Sequence, residues 1–322
     1  KKGHTGLFPV PGNGSYDWEA EFVPFEELPH VTNPKKGFIA SANNQVQPSC
    51  YGFVPTCDWD SMDGYRAQKI SSLIAASNRH SVETFIDIQQ DVSSPFAESM
   101  QNILTQACDS QYVVSSIDGN VACELLLGSW DFVMRTGSFE ATIFSLWVEK
   151  LFQAPSSETG ITYWEQMYFT KKAFEEAFRT KSEGSALCNS HWTNKQCARY
   201  AEKALIEVGK LVRAGKVKDY GTLNNNPCVF SSQIFSHSML DCLMSRFTTH
   251  SGDKSSINVG GVDYPSLIQS DGPSYRHIIS FARKDFTGSK FVNGLGQNGN
   301  PFLNSYDNML QAWTDGDYYD MA

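Results

Sequence analysis

Apolar positions along this chain change period twice. From Ser94 onward, Phe96, Met100, Ile103, Leu104 and Ala107 recur every three to four residues, and Ser94 followed by Pro95 supplies an N-cap with proline in the first turn. The same spacing over Gln196–Ala214 puts Ala201, Leu205, Val208 and Leu211/Val212 on one face, with Gly215 behind them as a C′ residue. Residues 124–152 are apolar nearly all round, which predicts one or two buried helices broken near Gly128 or Gly137. Strand-like runs flank this region. Gly37–Ala42 reads as a short buried strand running into Asn43-Asn44, and Ser256–Val259 and Arg276–Phe281 read as strands further on. Residues 1–35 and the Gly/Asn-rich stretch Asn293–Pro301 read as irregular. The expected class is α+β, a single unit over residues 1–322 with a helical region at about 61–250 and strand-rich flanks at 1–60 and 251–322.

Composition narrows the function classes. With 322 residues, 41% of them apolar, 13% aromatic and only 19% charged, the chain can bury a substantial core and does not have the make-up of a disordered one. A net charge of −9, from 26 Lys plus Arg against 35 Asp plus Glu, argues against a phosphate backbone as partner. No apolar run reaches the roughly 18 residues that a spanning helix needs. The start Lys1-Lys2-Gly3-His4 has neither an initiator Met nor a signal core, so a cut chain or an absent upstream segment is expected. Eight cysteines fall as the couples Cys50/Cys57, Cys108/Cys123, Cys188/Cys197 and Cys228/Cys242. An even count without a CxxC knuckle favours disulfides over a metal framework, although the sequence does not choose among the pairings. Disulfides, and the sequon Asn13-Gly14-Ser15, point to a secreted, vesicular or lysosomal compartment.

Two residues stand out chemically. In the helix expected to begin near Asp63, Arg66 shares a face with Ile70 and Leu73, so its guanidinium should run along the buried stripe and find an anion there, either an internal carboxylate or a ligand's. Asn43, at the end of the expected strand, offers amide donors suited to an oxyanion, or simply makes a turn. Searches for a nucleophile within the chain fail: there is no GxSxG elbow, SxxK or Walker loop. Gly294–Gly299 resembles GxGxxG but does not sit between a strand and a capped helix, and the seven histidines show no metal-ligand clustering.

Taken in order, several stretches resemble the penicillin acylase (penicillin amidase) family. They are Pro9–Trp18, Val23–Pro29, Asn33–Asn44, Gly64–Ile70, Trp130-Asp131, Gly272–Arg276, and Gly296–Pro301 with Tyr306-Asp307 and Trp313. The resemblance implies part of a four-layer αββα N-terminal-nucleophile hydrolase with a large helical insertion, acting on the amide bond of an acylated amine. In that family a precursor cuts itself so that a Ser, Thr or Cys heads the β chain, and its own α-amino group serves as base. By the same resemblance Asn43 is the oxyanion donor and Arg66 the substrate-binding arginine.

The nucleophile belongs upstream of Lys1 in the family, so this chain corresponds to the C-terminal part of a β subunit. Its expected partners are the rest of the same precursor, meaning an α chain and the N-terminal part of the β chain, together with a small acylated amine substrate. No cofactor follows from these residues. The family's structural calcium takes its ligands largely from the missing part, and Asp58 and Asp60 do not align cleanly with the remainder. Phe132 stands where relatives often have glycine. The alternative expectation is a catalytically inactive relative kept as a structural or binding component of a larger assembly.

Overall fold

Among the described residues five serines open helices, each accepting a backbone N–H three residues on: Ser81 from Thr84, Ser94 from Ala97, Ser110 from Val113, Ser116 from Gly119 and Ser138 from Ala141. The computed structural model describes residues 9–17, 20–46, 64–159, 194–223, 241–263 and 268–321. The chain divides into two units, residues 1–78 and 79–322.

In the first unit, residues 20–46 are irregular apart from a 3-10 turn at Phe25–Glu27, and helix α1 spans Tyr65–Ala75. The strand expected over Gly37–Ala42 does not form, and Ile39 is 62% exposed. Among the described residues of this unit no strand lies alongside to take up its N–H and C=O groups, and an apolar run without a ladder partner stays irregular.

The second unit opens with helices α2 (Val82–Gln89), α3 (Pro95–Cys108), α4 (Gln111–Val114), α5 (Ile117–Gly128), α6 (Phe139–Thr159) and α7 (Asn194–Arg213). Phe96, Met100, Ile103, Leu104 and Ala107 are all buried, as their spacing predicts, and the apolar stretch is interrupted once, between Gly128 at the end of α5 and Phe139 at the start of α6. α7 lies against α5 so closely that a Cβ on Gly209 would stand 1.7 Å from the Asp118 carbonyl oxygen, and glycine is what permits the approach. Arg213 reaches back to Asp118 at 2.7 Å. α7 ends as Gly215 predicts, with φ +66°, the Gly215 N–H donating to Val212 and the Lys216 N–H to Leu211.

Phe144 sits at the centre of this core, with Phe96, Trp130 and Trp147 around it at centroid distances of 5.9, 5.1 and 6.0 Å. The Trp147 indole N–H donates to the Ala201 carbonyl at 3.1 Å, which joins α6 to α7. Cys108 and Cys123 form a disulfide between α3 and α5. Each of the other three couples has a member outside the described residues.

Beyond α7 come the short helices α8 (Tyr220–Leu223) and α9 (Asp241–Met244), then small antiparallel sheets. β1 (Gly261–Asp263) pairs with β2 (Ile268–Asp271); β3 (Tyr275–Ile278), β4 (Lys290–Asn293) and β5 (Tyr319–Asp320) form a second sheet in that order, with α10 (Leu310–Asp315) preceding β5. Ser256–Val259 is a turn and not the expected strand. The Asp253 carboxylate accepts from the N–H and hydroxyl of both Ser255 and Ser256, at 2.8–3.1 Å, and also from the Ser94 hydroxyl at 2.6 Å. Those bonds curl the backbone around the aspartate and offer it an alternative to a ladder. The structure is therefore helix-rich with small sheets, in keeping with an α+β class.

Candidate functional site

Asn43 and Arg66 meet within the first unit. The Arg66 Nη2 donates to the Asn43 Oδ1 at 2.7 Å. Arg66 lies in the first turn of α1 and is half-buried together with Ile70 and Leu73, so its stem follows the face that helical spacing assigns to it. Asn43 is exposed and holds φ +61°, a left-handed conformation that asparagine tolerates better than most residues.

This contact fixes the amide chemically. Oδ1 is occupied by a permanently charged donor, so Nδ2 is the free end, and among the described residues nothing accepts its hydrogens. The guanidinium draws electron density toward Oδ1 and sharpens Nδ2–H as a donor. The arrangement can therefore present a preorganised hydrogen bond to a developing negative charge. It has no group that could act as nucleophile or base.

Asn44, the second residue of the tandem Asn43-Asn44, bonds to the backbone on both flanks of Asn43. Its Oδ1 accepts the Ala42 N–H at 3.0 Å and its Nδ2 donates to the Gln45 carbonyl at 2.9 Å. Asp58 and Asp60 lie outside the described residues. No group of acidic, His or Cys side chains among the described residues could hold a metal.

The second unit gathers the later stretches, from Gly272–Arg276 to Trp313, into a buried polar centre. Arg276 is 4% exposed; it donates to the Trp313 carbonyl at 2.9 Å and to Asn258 Oδ1 at 2.8 Å, and lies over the Trp313 ring at 4.8 Å. The Trp313 indole N–H donates to the Pro273 carbonyl at 2.7 Å, while a Cβ on Gly272 would press to 3.2 Å from the indole ring. His250 stacks on Trp313 with ring centroids 4.7 Å apart, and its Nε2 lies 3.1 Å from the Val259 carbonyl. Burial, with the Arg276 charge second, pushes the His250 pKa down to about 4, and burial lowers Arg276 to about 10. A neutral, stacked and hydrogen-bonded imidazole is a structural group, as expected for an unclustered histidine. Nearby, Tyr306 donates to the Met244 carbonyl and Arg246 pairs with Asp307, so these matching residues also serve packing.

The sequence model of the family described as penicillin amidase matches residues 1–322. The chain belongs to that family. Among its relatives is an acyl-homoserine lactone acylase, QuiP, of Pseudomonas syringae pv. tomato, 24% identical over 97% of this chain and 40% of the relative. Penicillin acylase 2 proenzyme of Pseudomonas sp. strain SE83 is 27% identical over 49% of this chain and 19% of its own length. Penicillin G acylase of Escherichia coli is 47% identical, but over 15% of this chain and 5% of that protein. Among solved structures, the thermostable penicillin G acylase of Alcaligenes faecalis matches with a TM-score of 0.58 and 14% identity, covering 98% of this chain and 59% of that one. The chain thus spans about two-fifths of the length of the curated acylases that match it along nearly its whole extent. Phe132 holds φ +58°, a conformation glycine adopts without strain.

Proposed function

We propose that this chain is the C-terminal part of the β subunit of an N-terminal-nucleophile amidohydrolase with the four-layer αββα fold, built as a single unit. It hydrolyses the carbon–nitrogen amide bond of an acylated amine. The nucleophile is a Ser, Thr or Cys that heads the β chain on a segment outside these residues. That segment and the α chain, from the same precursor, are the partners that complete the site; the name proenzyme carried by one relative is in keeping with this. When the nucleophile attacks the acyl carbon, the carbonyl oxygen becomes an alkoxide, and Asn43 Nδ2–H donates to it while Arg66 holds the amide in place. Arg66 also stands close enough to Asn43 to contact the substrate. The named activity of the relatives that span this chain makes an N-acyl-homoserine lactone the first substrate to assay.

One observation carries this reading: Asn43 is held by Arg66 through its oxygen, leaving the amide N–H₂ as the presented end. A scaffold has no use for such a donor. The Cys108–Cys123 disulfide supports a secreted or vesicular compartment, and no helix among the described residues is long and apolar enough to cross a membrane.

Asn43→Ala in the full-length protein should lower kcat by about two to three orders of magnitude with little change in KM. Unchanged turnover would remove Asn43 from the reaction. An upstream junction residue other than Ser, Thr or Cys, read by N-terminal sequencing, would favour the non-catalytic role instead.

A further inference from the structure

The left-handed turn at Asn43 has a brace of its own. Asn44 closes the backbone on both flanks of it, taking the Ala42 N–H on Oδ1 at 3.0 Å and giving Nδ2 to the Gln45 carbonyl at 2.9 Å. Between those two bonds Asn43 keeps φ +61°. A residue with a Cβ leaves that region unless its surroundings over-determine it, because the side chain crowds the following carbonyl. Arg66 restrains the far end of Asn43, the amide oxygen, but not the backbone from which the side chain springs. The two restraints are complementary.

We infer that Asn44 is a positioning residue: it locks the turn over residues 42–45, so that Asn43 meets Arg66 through Oδ1 and presents Nδ2–H at a fixed angle. The inference rests on the oxyanion role given to Asn43 above. It requires both ends of the Asn44 amide. Aspartate at this position keeps the acceptor for Ala42 and loses the donor to Gln45, and alanine loses both.

The test compares Asn44→Ala, Asn44→Asp and Asn43→Ala in the full-length protein, with an N-acyl-homoserine lactone as substrate. Each is measured for kcat and KM, and the 13C Cα and Cβ shifts of residue 43 are recorded for the wild type and both Asn44 variants. Asn44→Ala should lower kcat about tenfold, the scale of losing one or two hydrogen bonds, with KM unchanged. Asn44→Asp should recover part of that loss. The left-handed shifts of Asn43 should move toward ordinary backbone values in Asn44→Ala.

Wild-type kcat in Asn44→Ala beside an impaired Asn43→Ala overturns the inference and leaves the acylase reading standing. Wild-type kcat in Asn43→Ala removes Asn43 from the reaction and the positioning role of Asn44 with it, whereas no turnover by the wild type overturns the acylase reading. The shifts then decide the turn alone, and left-handed values retained in Asn44→Ala overturn the bracing role. A loss of kcat that merely tracks a loss of folded protein, with the shifts untouched, also counts against it.

Discussion

Replacing His250 by glutamine should flatten the acid limb of the stability curve. The imidazole is 4% exposed, stacked on Trp313, and close enough to the Arg276 guanidinium that burial and like charge both oppose protonation. Its pKa is about 4 in the folded protein against 6.5 for the free side chain. Between those values the unfolded chain binds the proton and the folded one does not. Stability therefore rises with pH across the window, is complete above pH 6.5, and is lost as pH falls toward 4. The separation converts to about 3 kcal/mol in all, of which about 2.5 kcal/mol is already gone at pH 4.5. Glutamine can still donate to the Val259 carbonyl but has no proton to take up. Urea unfolding of wild type and His250→Gln at intervals from pH 7.5 to 4.5 isolates the contribution, because the carboxylates titrate alike in both proteins. The wild-type advantage should be constant above pH 7 and shrink by about 2.5 kcal/mol at the acid end. Parallel curves would mean that His250 is not the neutral, buried group described here.

Two further predictions concern the helical core. Opening the Cys108–Cys123 loop, with a sequence separation of 15, by the double substitution to alanine should cost about 3 kcal/mol, read as a lower urea midpoint; an unchanged midpoint would mean that α3 and α5 hold together by packing alone. At Phe132, where φ is +58°, glycine should be better tolerated than alanine by about 1 kcal/mol, since both lose the contact with Trp130 and only alanine keeps the strain; alanine equal to or better than glycine in thermal melts would refute the strain.

Elements whose forces are local were legible in the sequence. The Ser94 cap with Pro95, the stripe Phe96 to Ala107, the Gly215 terminus and the break after Gly128 all lie where spacing and capping put them. Failures came where a distant partner decides the outcome. Gly37–Ala42 has the composition of a strand, but a strand needs a neighbour. Ser256–Val259 is turned by Asp253, whose carboxylate also reaches Ser94 far back in the chain. The site shows the same division. Helical periodicity alone placed Arg66 on the half-buried face, whereas its contact with Asn43, 23 residues away, is invisible to any period. Asparagine has low strand propensity, and the bonds of Asn44 to Ala42 and Gln45 show the physical content of it.

Charge separates what this chain can contribute to catalysis from what it must receive. An asparagine amide does not titrate, and a guanidinium stays protonated at any working pH. The contact between Asn43 and Arg66 is therefore indifferent to pH. It can stabilise an oxyanion but cannot shuttle the proton that the nucleophile loses and the leaving amine gains. His250, the one buried imidazole with a shifted pKa among the described residues, is stacked and hydrogen-bonded in the other unit's core and has the wrong pKa for a base near neutrality. On the proposed reading, every pH dependence of turnover between pH 6 and 9 must then arise from groups outside Asn43 and Arg66, the α-amino base of the β chain first among them. Loss of Asn43 should accordingly lower the pH–rate profile without moving its limbs, because the residue changes how well the transition state is held and not which groups are protonated when it forms.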